Sequence, residues 1–432
     1  MTPSGRLSAA IEVIADIESR RRPAAEALKD WGTGHRFAGS GDRAAIAGLV
    51  YDALRRKASS AHVMGAATAR AILFGMLRLE RGLDVADIDG LADGSRFAPP
   101  PLDAEERRLL ASASLADAPA HVAGDYPEWL DSHLARAFGD ARAEEAAALA
   151  RRAPLDLRVN TLVAERSVIL AEFADYAAVA TPWSPWGVRI LVPAGAKSPA
   201  IQSEPAFLKG KVEVQDEGSQ LAALMTGASP GETVVDLCAG GGGKTLALAA
   251  VMAGQGRIVA TDLDKRRLAP IHDRLARAGV GNVDVRTPRQ SSDVLSDLDG
   301  GADLVVIDSP CTGTGTWRRN PDAKWRMRPG ALEQRLKEQV EVLDRAAGLV
   351  RPGGRLAYIT CSVLAEENTD QVAAFVARHP EFAVTPPAAL ADPLGASADA
   401  FRAAALVGQQ GVQMTPRRTG TDGFFVAVMR RH

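Results

Sequence analysis

Cysteine is scarce in this chain: Cys238, Cys311 and Cys361 are the three among 432 residues, and they lie at wide, irregular intervals. That excludes a disulfide framework of the kind that staples small secreted domains, and it excludes Cys-x-x-Cys metal knuckles. The seven histidines form no ligand-spaced cluster with them, so no metal is expected. Long apolar runs are missing too. No stretch approaches the length needed to cross a bilayer, and the amino terminus lacks the basic-then-apolar order of a secretory signal, so a cytoplasmic protein with reduced thiols and no membrane partner is expected. Internal repeats and long low-complexity segments are likewise lacking. The near balance of 51 basic and 53 acidic residues excludes neither a polyanionic partner nor its opposite, because the placement of charge decides that.

What is present is enough apolar sequence, 46% of the chain, to build about three domains with cores of their own. Residues 1–125 read as an all-helical bundle. Leu7, Ile11 and Ile14 recur at helical spacing, as do Ile46, Leu49, Val50 and Leu54 after the helix-starting Ser40-Gly41-Asp42. Pro99 to Pro101 interrupt this bundle, and a last helix begins near Asp103, acidic in its first turn as the helix dipole prefers. Residues 126–209 read as a small α/β module, with an Ala-rich helix to Arg152, an alternating strand over Leu155 to Asn160, and Trp183 and Trp186 packed about a Ser-Pro turn. Residues 210–432 alternate strand, glycine loop and helix, the pattern of a doubly wound parallel sheet, with strands at Thr233 to Leu237, Arg257 to Thr261, Leu304 to Ile307, Leu356 to Thr360 and Phe424 to Met429.

The first of those strands runs into Cys238-Ala239-Gly240-Gly241-Gly242-Gly243-Lys244-Thr245 and then a helix. Consecutive glycines let a ligand approach the backbone, and the helix start behind them favours a carboxylate or phosphate. Gly243-Lys244-Thr245 also looks like the end of a phosphate-binding P-loop, but the first glycine of that motif would fall at Cys238. Asp262, at the end of the next strand, stands where an acid grips ribose hydroxyls in dinucleotide-type folds. Loop and acid together suit a nicotinamide cofactor or S-adenosyl-L-methionine, and do not separate the two.

Cys311 and Cys361 each follow an apolar, β-branched run, in Asp308-Ser309-Pro310-Cys311 and Thr360-Cys361-Ser362, so two thiols are expected at two strand ends facing one site. Taken with Val214 to Gln220, the loop Asp236 to Thr245, Asp308 to Gly315, Arg318 to Trp325, Glu366-Glu367-Asn368 and Asp422 to Phe425, these segments make the C-terminal half resemble the RsmB/Nop/Sun family of RNA (cytosine-5) methyltransferases. Pro127 to Leu130 and Arg158 to Leu162 resemble that family's middle module, and Asp42-Arg43 with Leu54-Arg55 its N-terminal bundle, which is similar to the antitermination factor NusB.

The resemblance implies a Rossmann-like α/β class I methyltransferase domain, preceded by an all-α NusB-like bundle and a small α/β, RRM-like module. It implies S-adenosyl-L-methionine as cofactor and RNA, namely small-subunit 16S ribosomal RNA, as the partner of a monomer that makes 5-methylcytosine. Carbon 5 of cytosine is a poor nucleophile until a thiolate adds at carbon 6, so the chemistry needs an attacking cysteine, an acid near ring nitrogen 3 and a base for the carbon 5 proton. By resemblance Cys361 attacks, Cys311 serves as the base, and Asp308 holds the ring or the cofactor edge. Cys238, Ala239, Gly240, Gly241, Gly242, Gly243, Lys244, Asp262 and Asp308 would seat the cofactor. The tract Trp317 to Arg328 mixes two tryptophans with five basic residues, and its Arg318, Arg319, Lys324 and Trp325 are expected to meet RNA phosphates and bases.

Two departures stand out. Gly241 replaces the proline usual in the family's loop, which makes the loop more flexible before binding. The family's third cofactor-contacting acid, expected just after Val285, has no counterpart in Arg286-Thr287-Pro288-Arg289, and Asp293 is out of register. A ribosome-assembly factor that binds RNA on a methyltransferase fold without catalysis remains the alternative, with a P-loop ATPase behind it.

Overall fold

A computed structural model describes residues 1–193, 199–288 and 293–432, and the chain divides into two compact units. The first holds Met1–Arg152 together with Trp317–Arg328. It is helical throughout, and its core gathers Leu7, Ile14, Ile46, Val50, Leu54, Ile72 and Phe74 from helices Pro3–Arg20, Ser40–Arg55 and Ala69–Leu79. Caps set the helix starts. Asp103 accepts from the N–H of Glu106, whose side chain reciprocates, so the acidic turn read from sequence is a capping box on Ala104–Ala111.

Helical packing carries this unit past residue 125, where a boundary was expected. Asp125 lies buried with its carboxylate on the N–H and hydroxyl of Ser59, and helix Arg142–Ala150 packs on Ala120–Ala123. Basic residues of this unit are partly spent on partners inside it. Arg22 pairs with Asp16 and Asp30, and Arg55 is buried with its guanidinium on the carbonyls of Arg151 and Arg318, where burial pulls it down to about 10.

The second unit carries two sheets. A four-stranded antiparallel sheet has the order β2-β3-β1-β4, from β1 (Leu155–Val159), β2 (Val179–Ala180), β3 (Gly187–Ile190) and β4 (Val212–Val214). Because β4 bonds to β1, this small sheet ends beyond the expected boundary at 209. Trp183 packs as the sequence suggested, its indole N–H on the Thr419 carbonyl and its ring edge-on to Phe401.

The nine-stranded sheet contains β5 (Thr233–Asp236), β6 (Arg257–Ala260), β7 (Val283–Val285), β8 (Ala302–Asp308), β9 (Val350–Thr360), β10 (Phe382–Val384), β11 (Leu406–Val407), β12 (Val412–Met414) and β13 (Phe424–Arg431). Their order is β11-β12-β13-β9-β8-β5-β6-β7, with β10 on β13. Strands β7 to β9 on this path are parallel, and β13 runs antiparallel to β9. Val234, Val235, Ile258, Val259, Val305 and Val306 are buried to the last atom, as β-branched runs covered on both faces should be. Strand β5 leads to β6 on one side and has β8 on the other, so the sheet reverses its winding there and opens a crevice at the strand ends. No described helix is long and apolar enough to cross a membrane.

Candidate active site

Every group singled out for chemistry, apart from the basic tract, sits at that crevice. From the end of β5 the chain turns through Gly240 (φ 49°) and Gly242 (φ 81°) into helix Gly243–Val251. A side chain at Gly242 would be strained at that φ and would strike Ile271 at 2.5 Å. The loop is held from both neighbours: Ala239 N–H donates to Thr261 O (2.9 Å), and Gly240 N–H to the Asp262 carboxylate (3.0 Å). Asp262 is buried, and its second oxygen accepts from the N–H of Asp264.

Lys244, 5% exposed, stretches to Asp308 at the end of β8, 2.8 Å away, and lies 4.9 Å from the centre of the Phe424 ring. Asp308 itself is 37% exposed and faces the crevice as a lysine-paired carboxylate. Ser219 bonds both Lys244 and Gln215, whose amide also reaches the Gly243 carbonyl. Sequence reading gave Gln215 and Ser219 no role, although both lie in a segment that carried the family resemblance.

Asp236, fully buried, accepts from the Thr245 hydroxyl (2.7 Å), while its other oxygen has no hydrogen-bond partner among the described residues. Burial pushes this carboxyl up to about 7 from the usual 3.8. A raised folded-state value means that Asp236 favours the fold fully below about 4, and that this support is lost as pH climbs to about 7. Asp236→Asn is therefore expected to flatten the fall in stability between pH 4 and 7. Paired urea melts across that range check it, and equal slopes for both proteins would refute the assignment.

The thiols meet. Cys311 Sγ and Cys361 Sγ are 3.4 Å apart, because β8 and β9 pair in parallel with Asp308 beside Ile359, so the two chains leave the sheet side by side. Two backbone bonds fasten them beyond the strands: Ser309 N–H to Ile359 O (2.8 Å) and Gly315 N–H to Cys361 O (2.9 Å). Gly315 admits no side chain, since a Cβ there would lie 2.0 Å from the Gly423 carbonyl oxygen. The hydrogen bond to Cys361 and then burial hold the Cys311 thiol well above its ordinary value, and the Cys361 and Glu367 charges add to this. Cys238 differs. Burial and then the carboxylates of Asp236 and Asp262 push its thiol far up, which disfavours the thiolate that a nucleophile needs.

Behind Cys311 lies Glu367, fully buried, which sequence reading quoted in a motif and left without a task. Its carboxylate accepts from Thr312 N–H (2.8 Å), from the Thr312 hydroxyl and from the Gln339 amide (3.1 Å), which also caps the Pro310 carbonyl. Behind Cys361, Thr360 and the Ser362 carbonyl both bond Asn368.

The tract expected to bind RNA is placed otherwise. Trp317, Arg318 and Lys324 are buried within the helical unit, Lys324 1% exposed with its ammonium on the Arg55 carbonyl (3.1 Å). The indole of Trp325 donates to Leu54 O (2.7 Å). Burial lowers Lys324 to about 7, the reverse of what a phosphate contact asks. Lys324 and Trp325 thus serve as packing groups here, and Arg318 lends its carbonyl to Arg55. At the third strand, Arg286 occupies the position after Val285 and pairs with Asp284 and Asp297, while Asp293 pairs with Arg345, so no described acid takes the missing place. Arg289 lies outside the described residues.

The crevice fits S-adenosylmethionine by its donor set. A glycine backbone without side chains precedes a nine-residue helix, an Asp236 oxygen without a partner among the described residues lies at the end of the preceding strand, and the Asp262 carboxylate keeps lone pairs beyond its two backbone bonds and its ion pair with Arg267.

Comparison with known proteins agrees with this geometry. A family model described as 16S rRNA methyltransferase RsmB/F matches residues 223–430, and one described as the ferredoxin-like domain of RsmF/B-like methyltransferases matches residues 126–196. The chain is 36% identical to ribosomal RNA small subunit methyltransferase B of Sodalis glossinidius over 75% of its own length and 69% of the relative's. It is 36% identical to the protein of the same name from Klebsiella pneumoniae over 59% of itself and 58% of that relative. The crystal structure of PH0851 superposes with a TM-score of 0.72 at 26% identity, covering 100% of this chain and 99% of that one. With its glycine loop, the buried acid Asp262 and paired strand-end thiols, the chain belongs to the RsmB/Nop/Sun family of S-adenosylmethionine-dependent methyltransferases.

Proposed function

We propose that this protein methylates carbon 5 of a cytosine in small-subunit ribosomal RNA through a transient bond between Cys361 and carbon 6 of the base. The observation that carries the reading is the pair of sulfurs 3.4 Å apart at neighbouring strand ends, beside a lysine-paired aspartate. One thiol can attack a ring while the other faces the carbon next to the point of attack.

The Cys361 thiolate adds to carbon 6, and the electron pair of the 5,6 double bond moves to carbon 5, which takes the methyl group. S-adenosylmethionine supplies that methyl when bound and leaves as the neutral thioether. Asp308, at the end of β8, would hold the ring during addition. A base then removes the proton from carbon 5, the 5,6 double bond re-forms, and the carbon–sulfur bond breaks to return Cys361 as thiolate.

The surroundings of Cys311 suit the base, in an ordered way. The largest cause raising its thiol is the hydrogen bond to Cys361, and the Cys361 charge adds to it. Once Cys361 is bound to carbon both causes vanish, so Cys311 ionises more readily at the stage that needs a base.

Labelled methyl transfer to unmethylated small-subunit RNA, followed by mapping of 5-methylcytosine, tests the proposal. Label found at carbon 5 of one cytosine is the expected result. RNA bound without transfer would point to an assembly factor instead, and label on another atom would overturn the cytosine chemistry.

A further inference from the structure

We propose that Arg274 is a positioning residue for the cofactor, a tether that stiffens the glycine loop at the point where its own backbone cannot. The inference rests on the cofactor assignment above.

Four glycines in a row, Gly240 to Gly243, give the loop more conformational freedom than any other residue type would. Two of its joints are fixed from inside. Gly240 is bonded to Asp262, and Gly242 is pressed on Ile271 and donates to Ala239 O (2.9 Å). Gly241 has neither support. It lies outside the left-handed region, and its N–H donates to no described residue.

What holds Gly241 is its carbonyl. Arg274 Nη1 donates to Gly241 O at 2.6 Å, and the other arm of the same guanidinium, Nη2, donates to Glu213 Oε2 at 3.0 Å. Glu213 is 4% exposed on β4, a strand of the small sheet, and is also paired with Arg277. Arg274 rises from helix Ile271–Ala278, the same helix that sets Ile271 under Gly242. A fork of fixed geometry thus ties the free joint of the loop to a buried carboxylate, a planar two-armed hold that the freely rotating ammonium of a lysine does not reproduce. The tether acts on the loop's unbound ensemble: it removes conformations that the cofactor would otherwise have to select against.

Proline at 241 would restrict the same joint by covalent means. An added Cβ there would lie 3.3 Å from Arg274 Nη1, a tight approach to the end of a flexible side chain that the double variant removes. The full-length protein, Arg274→Ala, Gly241→Pro and the double variant are titrated with S-adenosylmethionine by calorimetry. Arg274→Ala is expected to weaken binding about three- to fivefold, the worth of one residue's backbone freedom, and Gly241→Pro is expected to restore it in the double variant. In steady state KM for S-adenosylmethionine rises with kcat and KM for RNA unchanged, a split that general loss of structure would not give. Should Arg274→Ala fail to fold, Arg274→Lys replaces it with the same expectation. Equal affinity in all four proteins, or a double variant as weak as Arg274→Ala alone, overturns the tether. Failure of the unaltered protein to bind S-adenosylmethionine would instead strike the cofactor assignment, and the tether with it.

Discussion

Cys361→Ala is expected to lower methyl transfer by at least about a thousandfold and to leave binding of S-adenosylmethionine unchanged. The size follows from the chemistry: without addition at carbon 6 there is no enamine, and a thousandfold loss is about 4 kcal/mol of transition-state stabilisation. The partner variant separates the two thiols. On the proposed roles, Cys311→Ala would retain attack but lose the base, so RNA is expected to stay covalently bound and to migrate with the protein on a denaturing gel. Both sulfurs occupy one 3.4 Å contact, so two identical phenotypes would mean that the contact is structural and the division of labour wrong. An adduct trapped by Cys361→Ala and not by Cys311→Ala would exchange their roles.

Glu367 offers the second large effect, and it splits into two by substitution. Glu367→Ala takes the acceptor from the N–H and hydroxyl of Thr312 and leaves the Gln339 amide only the Pro310 carbonyl, at about 1–3 kcal/mol for a donor left unsatisfied, so a Tm lower by several degrees is expected. Glu367→Gln keeps an acceptor oxygen for both and removes the charge. That charge is one of the causes that raise the Cys311 thiol. A base works only when ionised, so its removal shifts the rise of adduct decay with pH to lower pH, with stability little altered. Single-turnover decay of the Cys361 adduct across pH 6 to 9 measures it. A glutamine variant with an unmoved profile would show that the carboxylate shapes the loop and leaves the proton alone.

The parts of this molecule legible from sequence were those whose signal is local. Apolar, largely β-branched or aromatic runs marked β5, β6, β8, β9 and β13 because covered strands need them, and a glycine run ahead of a helix marked the loop expected to seat the cofactor. The thiols at strand ends followed from the same pattern. Short elements escaped: β10, β11 and β12 have two or three residues each, too few for any alternation to show.

Placement over long sequence distances escaped as well. Lys324 and Trp325 looked like an RNA-facing stripe because basic and aromatic residues adjoin there, yet their partners are the Arg55 and Leu54 carbonyls, remote in the chain. Glu367 was visible in its motif, but its work depends on Thr312 and Gln339, which no spacing connects to it. Arg274 carried no signal, since an arginine on an amphipathic helix is ordinarily a solvated one.

The burial of Trp317 and Lys324 among the N-terminal helices has a bearing on synthesis. The ribosome releases residues 1–152 long before 317–328, and the interior that receives the Lys324 ammonium and the Trp325 indole must wait for them. The first unit to emerge is therefore among the last to be completed, and its carbonyls at Leu54 and Arg55 lack these donors through most of translation. Nascent chains stalled before residue 317 should be cleaved by protease within the helical unit, and chains stalled well past 328 should resist.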